Sequence, residues 1–160
     1  VACGELVNRG DFLMVCLGNI CRSPVVAEVV RQRFAAAGRR VVVESCGTGD
    51  WHVGHGADAR MCAAARAAGY DLSGHRARQL HIDDFQRFER VFAMDHANLR
   101  DITAACPPAL RDRLALFLPA AGVGHADEVP DPYYGGDEDF RRVIALAERG
   151  ADGLLRLTPA

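Results

Sequence analysis

Residues 12–24 read Phe12-Leu13-Met14-Val15-Cys16-Leu17-Gly18-Asn19-Ile20-Cys21-Arg22-Ser23-Pro24. The run from Phe12 to Cys16 is apolar and short, as expected of a strand buried on both faces. Leu17 to Arg22 holds a glycine and an asparagine, which favour a loop. Ser23-Pro24 then reads as a helix start, with serine as the cap and proline in the first turn. Val25, Val26, Val29, Val30 and Phe34 recur at helical spacing, and Gly38 marks the end. A strand passing through a tight loop straight into a helix is the opening unit of an α/β fold.

Residues 1–11 read as an irregular start. Beyond Gly38, residues 41–43 (three valines) are expected to form a second strand. Residues 46–56 form a glycine-rich loop carrying the only tryptophan, Trp51. Residues 57–68 read as an alanine- and arginine-rich helix closed by Gly69, and residues 90–94 as a third strand. A helix follows from His96 and stops before Pro107-Pro108. Residues 114–118 read as a fourth strand, residues 119–137 as a loop too long to be idle in a compact domain, and residues 138–155 as an amphipathic helix. The expected fold is α/β: a single domain over residues 1–160, with a four-stranded parallel sheet, helices on both faces, and a phosphate-binding loop after the first strand. In such sheets the ligand lies beyond the carboxyl ends of the strands at the topological switch point. Cys16 stands at such an end.

Composition narrows the class. The chain has 160 residues, 49% hydrophobic and 25% charged, which is globular rather than disordered. A net charge of −2 provides no general attraction to nucleic acid or to an anionic membrane, and neither is expected as a partner. All 19 basic residues are arginine, the side chain best suited to bidentate phosphate contacts. Cysteines stand at 3, 16, 21, 46, 62 and 106 with no Cys-x-x-Cys pair, so no structural zinc and no cofactor are expected. No signal peptide is recognisable and no apolar run is long enough to span a bilayer. A reducing cytoplasm with free thiols is the expected setting.

A cysteine six residues before an arginine decides little by itself. Six cysteines and 19 arginines in 160 positions give roughly 0.7 such pairs by chance, and Cys3 with Arg9 is one. That pair has no preceding strand and no capped helix behind it. Around Cys16 the loop wraps into a helix N-terminus, so backbone N–H groups and the helix dipole converge on an anion. Arg22 adds a planar fork of donors, and the same positive field favours a thiolate at Cys16. Gly18 permits close backbone approach, Asn19 tolerates a left-handed conformation that turns N–H groups inward, and Ser23 is placed to donate to the sulfur. On Cys16 and Arg22 alone, a buried cysteine and a surface arginine remain an equal reading; the whole nonamer favours a phosphate site with a built-in nucleophile.

The string Cys16-x-Gly18-Asn19-x-Cys21-Arg22-Ser23-Pro24 resembles the signature of low-molecular-weight protein-tyrosine phosphatases. Their second signature resembles Asp131-Pro132-Tyr133-Tyr134-Gly135. Residues 51–54, 75–79 and 94–98 are also similar, and the likeness covers residues 11–155, nearest the bacterial, actinobacterial branch. The resemblance implies hydrolysis of phosphotyrosine and small aryl phosphates without metal. Cys16 would be the nucleophile, Arg22 the phosphate ligand and Asp131 the general acid and then base. Leu17, Gly18, Asn19, Ile20, Cys21 and Ser23 would complete the phosphate loop, with His75 holding Asn19 and Asp95 supporting the loop. Trp51, His52, Tyr133 and Tyr134 would form the substrate pocket. Read without the resemblance, His75 is equally a surface histidine, and the two tyrosines could instead pack their own loop.

Implied partners are phosphotyrosine-containing proteins, with inorganic phosphate or similar oxyanions in the site. Some bacterial members leave the cell without a recognisable signal, so export stays open. The rival reading is a thioredoxin-coupled arsenate reductase, which shares the fold and a similar loop. Its redox pair of mid-chain cysteines has no counterpart between Cys62 and Cys106. Cys46, Cys62 and Cys106 read as small buried residues, and His55, His81, His96 and His125 as surface ones. Cys16 and Cys21, in one tight loop, are expected to form a reversible disulfide on mild oxidation.

Overall fold

A computed structural model describes residues 11–159; Asp11 apart, the irregular start lies outside them, as do Cys3 and Arg9. Four parallel strands form one sheet: β1 (Phe12–Cys16), β2 (Val43–Gly47), β3 (Arg90–Ala93) and β4 (Leu114–Leu116), in the order β2-β1-β3-β4. The helices are α1 (Arg22–Ala36), α2 (Ala59–Ala67), α3 (Asp84–Arg87), α4 (His96–Ala105), α5 (Phe117–Ala120) and α6 (Asp137–Leu157), with a 3₁₀ segment at Pro108–Arg113. From β1 the chain steps out to β2, then returns across β1 to β3. The switch point therefore lies at the carboxyl end of β1, where Cys16 leads into the loop.

β1 is buried along its whole length and splits its side chains between two cores. Phe12, Met14 and Cys16 join Val25, Val26 and Phe34 of α1 and Phe140, Val143 and Ala147 of α6. Phe12 and Phe34 meet edge to face with ring centroids 5.6 Å apart. On the opposite face Leu13 and Val15 pack with Phe85, Phe88, Val91, Ile102 and Cys106. This alternation is what a strand between two helical layers requires. Each large core side chain contributes roughly 1.5–3 kcal/mol through burial.

Three expectations shift. The second strand runs Val43–Gly47, not 41–43, and Val42 is exposed, although its carbonyl accepts from Phe12 N at 2.9 Å. β2 is an edge strand, where the polar Glu44 and Ser45 stay only half-buried. The fourth strand ends at Leu116, because Phe117, Leu118 and Pro119 turn into α5. α1 starts at Arg22 with Cys21 at the cap position and no side-chain cap. Ser23 is thus already helical, and its hydroxyl is committed elsewhere. The other expected elements fall within a residue or two of their places, the usual latitude of helix ends, while α3 and the 3₁₀ segment were not expected; Gly38 and Gly69 take the positive φ values, 72° and 94°, that end α1 and α2.

Candidate active site

The loop between β1 and α1 is held by Asn19. Its φ of 57° is the single positive value at a non-glycine among the described residues, and it turns the Asn19 N–H back to Cys16 Sγ at 3.3 Å. Asn19 is fully buried and fully partnered. Its Oδ1 accepts from Arg78 N at 3.0 Å, which fixes the amide orientation. Its Nδ2 therefore donates, to Ser23 Oγ at 2.8 Å and Ser45 Oγ at 2.9 Å. Ser23 Oγ, having accepted from Asn19, has one proton to give. Cys16 Sγ at 3.0 Å is the nearer acceptor, ahead of Cys46 O at 3.4 Å. Of the two uses read for this hydroxyl, the contact to the sulfur holds and the cap does not, so the first N–H groups of α1 carry no side-chain partner.

His75 Nε2 lies 2.7 Å from the Asn19 carbonyl. A carbonyl only accepts, so Nε2 carries the proton. Burial, above all, holds His75 below the ordinary histidine value.

Arg22 is buried and anchored at one end of its fork: Nη1 donates to Asp95 Oδ2 at 2.6 Å and to Val129 O at 3.1 Å. Asp95 also caps α4, its Oδ1 accepting from Asn98 N at 2.7 Å. Arg22 Nη2 lies 3.9 Å from Asp131 Oδ2. Asp131 reaches the site from the long loop between α5 and α6, which Val129 N ties to the end of β3 through Met94 O at 2.8 Å. Its other oxygen, Oδ1, accepts from Tyr133 N at 3.1 Å.

These groups share one cleft of about 260 Å³. Its floor is Cys16 and the loop through Arg22; its walls are Trp51, His52, Asp131, Tyr133 and Tyr134. Apart from Ser23, every residue read from the sequence as loop, nucleophile, acid or pocket lines it; Ser23, His75 and Asp95 stand directly behind. Cys16 is 3% exposed and lies at the bottom, whereas Tyr134 is 97% exposed at the rim, which excludes core packing for that ring. His52 packs so closely on the loop that a Cβ at Gly18 would lie 3.0 Å from its ring.

Four contributors went unread in the sequence. Ser45 and the Arg78 backbone complete the partners of Asn19. Gly47 ends β2 against the loop, and a Cβ there would lie 2.6 Å from the Leu17 carbonyl. Arg60 holds both carboxylate oxygens of Asp58 and lies 5.3 Å from the Tyr133 ring centre. The available signals were a glycine and a serine inside a strand, both out of place unless something approaches closely. His55, His81, His96 and His125 are exposed as expected, though His81 and His96 sit 3.4 and 3.9 Å from the carboxylates of Asp83 and Asp127, and His125 Nε2 lies 2.9 Å from Arg149 Nη1. Cys46 and Cys106 are buried, but Cys62 is only partly so.

Residues 11–158 match the profile of the low molecular weight phosphotyrosine protein phosphatase family. The chain belongs to that family. Among curated relatives, the low molecular weight phosphotyrosine protein phosphatase of Schizosaccharomyces pombe is 44% identical over 81% of this chain and 85% of its own. The low molecular weight protein-tyrosine-phosphatase of Streptomyces coelicolor, an actinobacterium, is 41% identical over 88% of each chain. The solved structure of a protein tyrosine phosphatase from Entamoeba histolytica, with Hepes in its active site, superposes with a TM-score of 0.87 at 33% identity, covering 91% of this chain and 94% of that one. Membership makes the chain a protein-tyrosine phosphatase, an enzyme of the phosphoric monoester hydrolases; the arsenate reductase reading finds no support in these relatives. Among the described residues no helix is long and apolar enough to cross a membrane.

Proposed function

We propose that the protein hydrolyses phosphotyrosine in two steps through a phosphocysteine on Cys16. The observation that carries this is the convergence of the Cys16 sulfur, the Arg22 fork and the Asp131 carboxyl on one aromatic-walled cleft. The Cys16 thiolate, steadied by the Asn19 N–H and the Ser23 hydroxyl, attacks phosphorus in line. Loop N–H groups and Arg22 Nη2 hold the equatorial oxygens. Asp131 protonates the departing phenolate oxygen, and then takes a proton from the water that hydrolyses the phosphocysteine. Inorganic phosphate leaves, and the loop supplies the charge stabilisation without metal. Hepes, found in the active site of the Entamoeba phosphatase, is a sulfonate and so a tetrahedral oxyanion of the kind this cleft would take.

The depth of Cys16 also sets the substrate. A phenyl ring spans from the cleft floor to the rim between Trp51 and Tyr133, whereas the short stem of phosphoserine leaves its phosphate above the sulfur. With chelator present, matched phosphotyrosyl and phosphoseryl peptides should differ in kcat/KM by about 10²-fold or more. Equal rates, or turnover that needs added metal, would remove this reading.

The same loop carries an oxidation response. Cys21 is buried, and burial first, then Asp58, Cys16 and Asp131, push its thiol up to about 12. Peroxide converts Cys16 to a sulfenic acid; Cys21 then displaces water to close the disulfide. Because the attacking thiol is overwhelmingly protonated at neutral pH, closure should quicken by roughly tenfold per pH unit from 6 to 8. Peptide mapping after peroxide should find the 16–21 link, and Cys21→Ser should lose activity that thiol does not restore. A Cys21→Ser variant that recovers as fully as the wild type would refute the protective role.

A further inference from the structure

Trp51 and Leu17 do not only wall the catalytic cleft. They also border a second depression of about 400 Å³, lined besides by Thr48, Gly49, Gln79, Leu80, Asp101 and Ala105. The two hollows share Leu17 and Trp51 and no other residue, so they are neighbours separated by one layer of side chains. We propose that this second groove is a subsite for a basic side chain, arginine or lysine, flanking the phosphotyrosine of a protein substrate; the proposal rests on the phosphotyrosine reading above.

The groove has the parts a long cationic side chain needs. Leu17 and Trp51 are 42% and 68% exposed, large apolar surfaces for a monomer to leave open, and with Leu80 and Ala105 they offer a bed for an aliphatic stem. The indole is held in place from behind: it lies against Gly49, where a Cβ would stand 2.1 Å from its Cζ3. A ring fixed in this way presents a face to a cation. At the rim, Asp101 on α4 carries a carboxylate that no ion pair among the described residues engages. Thr48, in the same lining, keeps its Oγ1 buried without a hydrogen-bond partner among the described residues. Arg100 and Arg111 border a different depression, with His96 and Thr103, and neither lines this groove. An extended peptide advances about 3.3 Å per residue, so a phosphotyrosine seated on Cys16 places its immediate neighbours beside this wall.

The test compares kcat/KM for phosphotyrosyl peptides carrying Arg, Ala or Glu at the flanking positions, using wild type, Asp101→Asn and Asp101→Arg, with p-nitrophenyl phosphate as the small-substrate control. At low salt the wild type should favour the Arg peptide over the Glu peptide by about tenfold. Asp101→Asn should narrow that gap to about twofold, and Asp101→Arg should invert it, while the control ester is turned over equally by all three proteins. Equal rates for the three peptides alongside normal turnover of the control would overturn the subsite alone, as would a preference for Arg that survives Asp101→Arg. Failure to hydrolyse either the peptides or the control would overturn the phosphotyrosine reading, and the subsite with it.

Discussion

Cys16→Ser is expected to cut turnover of a phosphotyrosyl peptide by on the order of 10⁶-fold, as deletion of an enzymic nucleophile does elsewhere, without unfolding the protein. Serine is nearly isosteric and can keep the contacts to Ser23 Oγ and Asn19 N that the sulfur makes at 3.0 and 3.3 Å. What it loses is the thiolate, since nothing beside it is a base strong enough to ionise a hydroxyl. The oxyanion cradle remains, so the variant should still bind vanadate weakly. Circular dichroism and vanadate titration separate this from misfolding; appreciable turnover by a folded Cys16→Ser would take Cys16 out of the reaction. Arg22→Lys tests the cradle in turn. Nη1 is already committed to Asp95 and Val129 O, leaving Nη2 for phosphate. One ammonium cannot serve the anchor and the ligand at once. A loss of roughly 10²–10³-fold is expected, the usual cost of one oxyanion donor.

Asp131→Asn is expected to act according to the leaving group. The phenolate of tyrosine, whose conjugate acid has a pKa near 10, departs poorly without a proton. Losing the acid should slow the phosphorylation step on a phosphotyrosyl peptide by about 10²–10⁴-fold. An aryl phosphate with a much more acidic phenol needs little help, and its burst should slow far less. Burst kinetics are essential, because Asp131 is also the proposed base in hydrolysis and kcat mixes the two roles. Asparagine keeps an oxygen for the Tyr133 N–H, the contact that orders the loop at 3.1 Å, so the comparison isolates the proton on Oδ2. Equal losses for both esters would reduce Asp131 to a shaping residue. The other carboxylates of this loop are poorly placed to replace it: Glu128 accepts from His96 N at 2.8 Å, Asp127 faces the His96 ring at 3.9 Å, and Asp137 opens α6.

The parallel sheet and the site were legible because their signals are local. A buried strand, a Gly/Asn loop and a Pro-started helix lie consecutively from Phe12 to Phe34, and a loop of that kind has one anion-binding use. β2 was misplaced because a valine triplet is a stronger hydrophobic signal than Val43-Glu44-Ser45-Cys46-Gly47, yet the strand sits at an edge where polarity costs little. Of the two uses read for the Ser23 hydroxyl, capping the helix and donating to the sulfur, only the second holds, and the folded position of Asn19 decides between them. Ser45, Gly47, Arg60 and Arg78 stayed invisible because their roles depend on contacts across 26 to 73 positions of sequence, and spacing carries no trace of such contacts.

The central claim, a phosphorylated Cys16, is most directly tested by rapid acid quench of Asp131→Asn during turnover of an activated aryl phosphate. With the base for hydrolysis gone, the intermediate should accumulate, and mass spectrometry of the digested protein should place one phosphoryl group on the peptide containing Cys16, with a yield matching the phenol burst. A burst with no covalent phosphate, or phosphate on any other residue, would contradict the account.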